Sequence, residues 1–192
     1  LRSLIVWSAA FLIAGAAWGA PFTAEELLRS TGLHAGVVVI DGEDAVALAR
    51  DIRTRVPLAL IHILVSDTKQ AQEANRACTQ LPGVSAVART AASLPYKART
   101  VNLVVFGADA ALPPLPELVR VLVPGGWVCV AGATAVPPAA ATDAAGLQRR
   151  TTPAGALLLR KPELEPGSWT HHLGNDANSA TSGDSSAGPI TA

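Results

Sequence analysis

Short apolar runs alternate along this chain with stretches of helical periodicity, and that alternation leaves few folds open. Residues 36–41 read GVVVID, residues 58–65 LALIHILV, residues 101–106 VNLVVF and residues 127–131 WVCVA. Continuous β-branched runs of this length suit strands buried on both faces. Between them the period changes. Residues 43–55 place Ala45, Leu48, Ala49 and Ile52 on one side of a helix that Pro57 stops. Asp67 caps a helix expected over 68–81, and Pro82-Gly83 ends it. Thr23 followed by Glu26 is a capping-box pattern, opening a short helix to about Arg29 that Gly32 closes. Residues 84–87 form a weaker strand and 88–99 are irregular. Pro113, Pro114 and Pro116 lead into a helix over about 117–122. Residues 135–146 read as a loop and 155–160 as a sixth strand. Strands alternating with helices imply right-handed βαβ units. The expected fold is therefore α/β, a Rossmann-like, doubly wound, mostly parallel sheet.

Charge narrows the partners. Fifteen basic and fifteen acidic residues cancel, with no basic stripe, and aromatics make up only 4%. Both facts argue against nucleic acid. The first twenty residues read as a secretory signal. Arg2 gives a short positive start, residues 4–17 are apolar, and Ala17-Trp18-Gly19 suits a cleavage site. The apolar run is short for a membrane span, so membrane contact is expected only through an uncleaved signal. An exported protein lies in the periplasm or cell envelope, where disulfides form. Cys78 and Cys129 nevertheless read as small core residues. The expected domains are a signal peptide over 1–20, the α/β domain over 21–162, and a polar linker over 163–192.

Ligands of such sheets bind beyond the carboxyl ends of the strands, at the switch point beside the first strand. Asp41, Gly42, Glu43 and Asp44 follow that strand. Gly42 allows close backbone approach and Asp41 offers a carboxylate. Glu43 and Asp44 place negative charge at a helix start, which repels phosphate.

The order of these pieces resembles a class I S-adenosylmethionine-dependent methyltransferase, over residues 33–162. Residues 117–126, ELVRVLVPGG, are similar to that family's segment leading into its fifth strand. Leu94-Pro95-Tyr96 and then 101–105, VNLVV, resemble the passage into its fourth. The resemblance implies S-adenosylmethionine as a possible cofactor, with Asp41, Gly42 and Asp67 lining its cleft and Asp109 near the reacting end, and it implies no metal. It also marks two departures. The first loop carries one glycine where the family has two or three. Val65 stands where the family has a ribose-binding carboxylate, with Asp67 two residues on and equally suited to a helix N-cap.

The tail carries a second resemblance. Residues 168–178, SWTHHLGNDAN, are similar to the segment that leads into pyrroloquinoline-quinone-type β-propellers. In such proteins of planctomycete-like bacteria a signal and a degenerate methyltransferase-like domain precede an outer-membrane-assembly-like propeller. His171 and His172 are adjacent, and neighbours on an extended chain point apart, so they read as packing or linker residues. Trp169 reads as a docking residue, and His62 as a core histidine. Ser30 and Ser66 lack a His/Asp arrangement to activate them.

Three functions stay open. One is an exported, catalytically degenerate module whose partner is a propeller domain or envelope protein. Another is an active methyltransferase of unknown acceptor. The third is a small-ligand binding protein using the same cleft.

Overall fold

A computed structural model describes residues 23–42, 44–89, 93–108, 110–131, 136–152 and 154–163. The expected signal segment and all but the first residue of the expected linker, His171 and His172 included, lie outside the described residues, as does Asp109.

Helix α1 (Ala24–Thr31) starts where the capping box places it. Thr23 Oγ1 accepts from the Glu26 amide at 3.2 Å, and Gly32 ends the helix in the left-handed conformation. Strand β1 (Gly36–Asp41) follows, then α2 (Ala45–Arg55), β2 (Ala59–Val65), α3 (Thr68–Ala77) and β3 (Val84–Ala88). Strand β4 (Val101–Phe106), α4 (Leu115–Val121), β5 (Leu122–Val130), α5 (Ala139–Ala144), β6 (Gln148–Thr151) and β7 (Leu157–Arg160) complete it. The seven strands order as β3-β2-β1-β4-β5-β7-β6. Strands β1 to β5 pair in parallel, while β7 runs antiparallel to both β5 and β6. Chain order reverses between β1 and β4, which makes their carboxyl ends the switch point.

Side-chain alternation divides the core. Val38, Ile40, Ile61, Ile63, Leu103 and Val105 pack with α1 and α2 on one face. Val39, Leu64, Val104, Phe106 and Val128 pack with Leu118 and Val121 of α4 on the other. Cys78 and Cys129 are both buried free thiols on the first face. Burial pushes the Cys129 thiol up, with a smaller push from the charge of Glu26.

Three expectations need correction. Residues 135–146 are not wholly a loop, because Ala139–Ala144 forms α5. Pro138 presets its entry and three consecutive alanines favour it. Strand β6 was not expected, since QRRT is polar and exposed throughout and carries no apolar pattern. Helix α3 ends at Ala77 rather than near 81, in a turn where Leu81 N–H bonds the Cys78 carbonyl at 2.8 Å.

The Pro-Gly-Gly segment also differs from a simple turn. It lies inside β5 as an irregularity, where two residues along β4 (Val101 to Leu103) are matched by five along β5 (Leu122 to Trp127). Gly125 N–H donates to the Lys161 carbonyl, and Lys161 N–H donates to the Gly126 carbonyl, both at 2.9 Å. The Lys161 ammonium bonds the Val119 and Leu122 carbonyls at 2.8 Å each, closing the end of α4.

Candidate functional site

A cleft of about 760 Å³ opens above the carboxyl ends of β1, β2 and β4. Asp41 and Gly42 form its edge from the first loop, and Val65 and Ser66 from the end of β2. Ala45 and Val46 of α2 face Ala74 and Ala77 of α3 as small apolar walls, with Ile63 among the lining residues. Gly42 has a φ of 150°, a conformation L side chains rarely adopt, so the single glycine of this loop stands where the backbone needs one.

The polar groups around the cleft are largely engaged with protein. Arg89, the residue after β3, donates from Nη1 to Asp41 Oδ2 at 2.6 Å. Their side chains are 14% and 19% exposed. Arg89 Nη2 reaches the Ala111 carbonyl at 3.0 Å, and the Arg89 amide donates to the Val65 carbonyl at 2.7 Å. One arginine thus ties the ends of β1, β2 and the loop after β4 together. Asp67 Oδ1 accepts from the Gln70 amide at 2.9 Å, the N-cap of α3. Gln70 Oε1 in turn accepts from the Ser66 amide and hydroxyl. Glu73 lines the cleft from α3, exposed, with no hydrogen bond or ion pair to any described residue.

Of the four residues expected at the site, the structure brings Asp41 and Gly42 into the cleft. It turns Asp67 to the helix end, and Asp109 lies outside the described residues. Sequence reasoning missed Arg89 and Glu73. Arg89 follows a weak strand in a segment read as irregular, and nothing local in sequence pairs it with Asp41, 48 positions away. Glu73 had a readable signal: with Gln70, Ala74 and Ala77 it occupies one face of α3.

The two motif segments prove to be halves of one clamp. Glu117 Oε1 accepts from the Leu94 amide at 2.6 Å, and Arg120 donates to the Tyr96 and Leu94 carbonyls at 2.7 and 3.2 Å. Glu117 and Arg120 also join through two 2.7 Å bonds. That contact with Arg120, foremost, holds the Glu117 carboxyl below its ordinary range. The Leu94–Tyr96 segment, a strap over the sheet, carries Tyr96 against His62, ring centres 5.7 Å apart, and His62 is half-buried rather than sealed in the core. The Tyr96 hydroxyl is buried, with no hydrogen-bond partner among the described residues. Burial raises its pKa, and the Asp41 charge raises it further.

No protein-family model and no curated protein matches this chain. Solved structures do. An S-adenosylmethionine-dependent methyltransferase from Aquifex aeolicus superposes with a TM-score of 0.54 at 15% identity, covering 72% of this chain and 88% of that one. A candidate S-adenosylmethionine-dependent methyltransferase from Methanococcus maripaludis gives 0.60 at 14%, over 79% and 89%. A Haloferax volcanii complex of the Trm112 methyltransferase activator with a candidate methyltransferase gives 0.58 at 18%, over 76% and 90%. The fold is the Rossmann-like fold of class I methyltransferases. Identities this low establish shape and not chemistry.

The residues fit that family's cofactor in outline only. The cleft lies at the switch point and Gly42 permits close approach. The strand-end carboxylate is absent at Val65, Asp67 serves α3, and Asp41 is engaged by Arg89. Among the described residues no group of His, Cys, Asp or Glu side chains is arranged to hold a metal ion.

Proposed function

We propose that this chain is an exported, non-catalytic methyltransferase-fold module that acts as a structural or interaction part of a larger envelope assembly. The observation that carries the reading is the Asp41–Arg89 pair. A mostly buried guanidinium stands in the cleft and neutralises the first strand's carboxylate. A sulfonium cofactor entering there meets a neutralised ion pair in place of a free anion. The signal-like first twenty residues and the propeller-linker resemblance of the tail support export and a neighbouring domain.

A second reading, an active S-adenosylmethionine-dependent enzyme, has its own support. The cleft has room for a ligand of that size, and Glu73 presents a carboxylate on its wall. Calorimetric titration with S-adenosylmethionine and its demethylated product separates the two. The module reading expects no heat and no thermal stabilisation at millimolar ligand. Micromolar binding that disappears in Asp41→Ala would overturn it.

A further inference from the structure

Among the described residues, little covers one side of the sheet at its β2–β3 end. Leu58, Leu60 and Val87 are 74%, 55% and 42% exposed. Leu60 and Val87 lie on the face that also carries Leu64 and His62, opposite the face that packs on α2 and α3. Elsewhere this face is covered by α4 and by the strap at Leu94 and Tyr96. No described residue between β3 and β4 is helical, so among the described residues no crossover helix extends over β2 and β3.

The shape of the patch limits what covers it. Addition at the sheet edge is opposed. The Asn75 side chain donates to the Ala86 carbonyl and accepts from its amide, both at 2.8 Å, blocking the middle of β3. Three aliphatic side chains offer a small fraction of the ~800 Å² per partner that a stable dimer buries. A single short segment fits better.

We propose that the chain's own residues 168–173, through Trp169 and Leu173, dock on the face that carries Leu60 and Val87. Position and reach support this. Glu163 lies against Gly125, since a methyl there would meet Glu163 Cγ at 3.2 Å. Gly125 is near the amino-terminal end of β5, the same end of the sheet as Leu58 and Leu60. Three strand spacings separate β5 from β2, roughly 14 Å at about 4.8 Å each. Six extended residues from Glu163 span roughly 20 Å and end at Trp169. Beyond Glu163 the large apolar side chains are Leu164, Trp169, Leu173 and Ile190, in otherwise polar sequence. Trp169 is the aromatic among them, and an extended segment of this length is long enough to bring it to Leu60.

The test uses the full chain. Leu60→Cys with Trp169→Cys should form an intramolecular disulfide under mild oxidation, with Cys78 and Cys129 buried and out of reach. Leu60→Ser and Trp169→Ser should each lower Tm by about 3 °C, and the double variant by no more than the larger single loss. Additive losses with no cross-link overturn the proposal. Disulfide-linked dimers overturn it in favour of a second copy. Protection of the face only when another protein is added assigns it to that partner instead.

Discussion

Two glycine loops sit on opposite ends of the same sheet, and they are built differently. At the β5 irregularity, Gly126 is enclosed by backbone, while its neighbour Gly125 lies against the Glu163 side chain. A methyl on Gly126 would lie 2.9 Å from the Val123 carbonyl oxygen and 3.2 and 3.3 Å from those of Val101 and Asn102. Lys161 joins this loop to the end of α4, and Glu117 and Arg120 join α4 to the strap. At the β1 end, Gly42 opens onto a cleft, and the neighbouring Asp41 is satisfied by a side chain, Arg89. The Gly126 contacts are main chain on both sides, and no rotamer change releases them. A side-chain partner can be exchanged for a ligand or for a different residue. The motif segment that most clearly announces the fold is thus the one with least room for chemistry.

The same substitution in both loops is the sharpest way to break this contrast. Gly126→Ala pushes a methyl into three carbonyl oxygens that cannot rotate away, and should cost about 2–3 kcal/mol of stability. Gly42→Ala meets strain from its φ of 150° and should cost about 1–2 kcal/mol. Chemical denaturation of both variants checks the order. Equal losses would mean that the cleft loop is as enclosed as the turn.

What the sequence disclosed follows the same division. Strands β1 and β4 begin and end where their β-branched runs do, because burial on both faces leaves a continuous apolar signature. The caps of α1 and α3 were legible because Thr23 and Asp67 act within three residues of themselves. The clamp was visible only as two separate motifs, since Leu94 and Glu117 meet through the fold at a separation of 23 residues. Strand β6 left no trace because an exposed edge has no apolar face to reveal. In the cleft, Asp41 and Gly42 were found from topology, whereas Arg89 was not. A long-range ion pair requires the strand order before the partner can be named.

A double-mutant cycle gives the next largest effect. Asp41→Ala and Arg89→Met each leave a mostly buried charge with altered partners. The pair should show a coupling of about 1–2 kcal/mol, below the range for sealed pairs because the cleft admits water. Glu117→Leu should instead lose about 1–2 kcal/mol by stranding the Leu94 amide, with no coupling to either cleft residue. Coupling between Glu117 and Asp41 would show that the strap carries strain between the two ends of the sheet.

The smallest effect is one of pH, and it belongs to the clamp. The Glu117 carboxyl titrates below its ordinary value of 4.5, first because Arg120 bonds it and then because the Leu94 amide does so against some burial. A carboxyl with a folded pKa below its unfolded one stabilises the fold above the unfolded value. That stabilisation fades as pH falls through the folded value. The stability gap between the wild type and Glu117→Gln should therefore hold steady from neutral pH to about pH 5 and narrow below about pH 4.5. Thermal melts across that range measure it. A gap that stays constant into the acid would mean that Glu117 contributes through shape and through the Leu94 hydrogen bond, which glutamine keeps. The clamp would then be a neutral fixture, in contrast to the charged pair of Asp41 and Arg89 in the cleft.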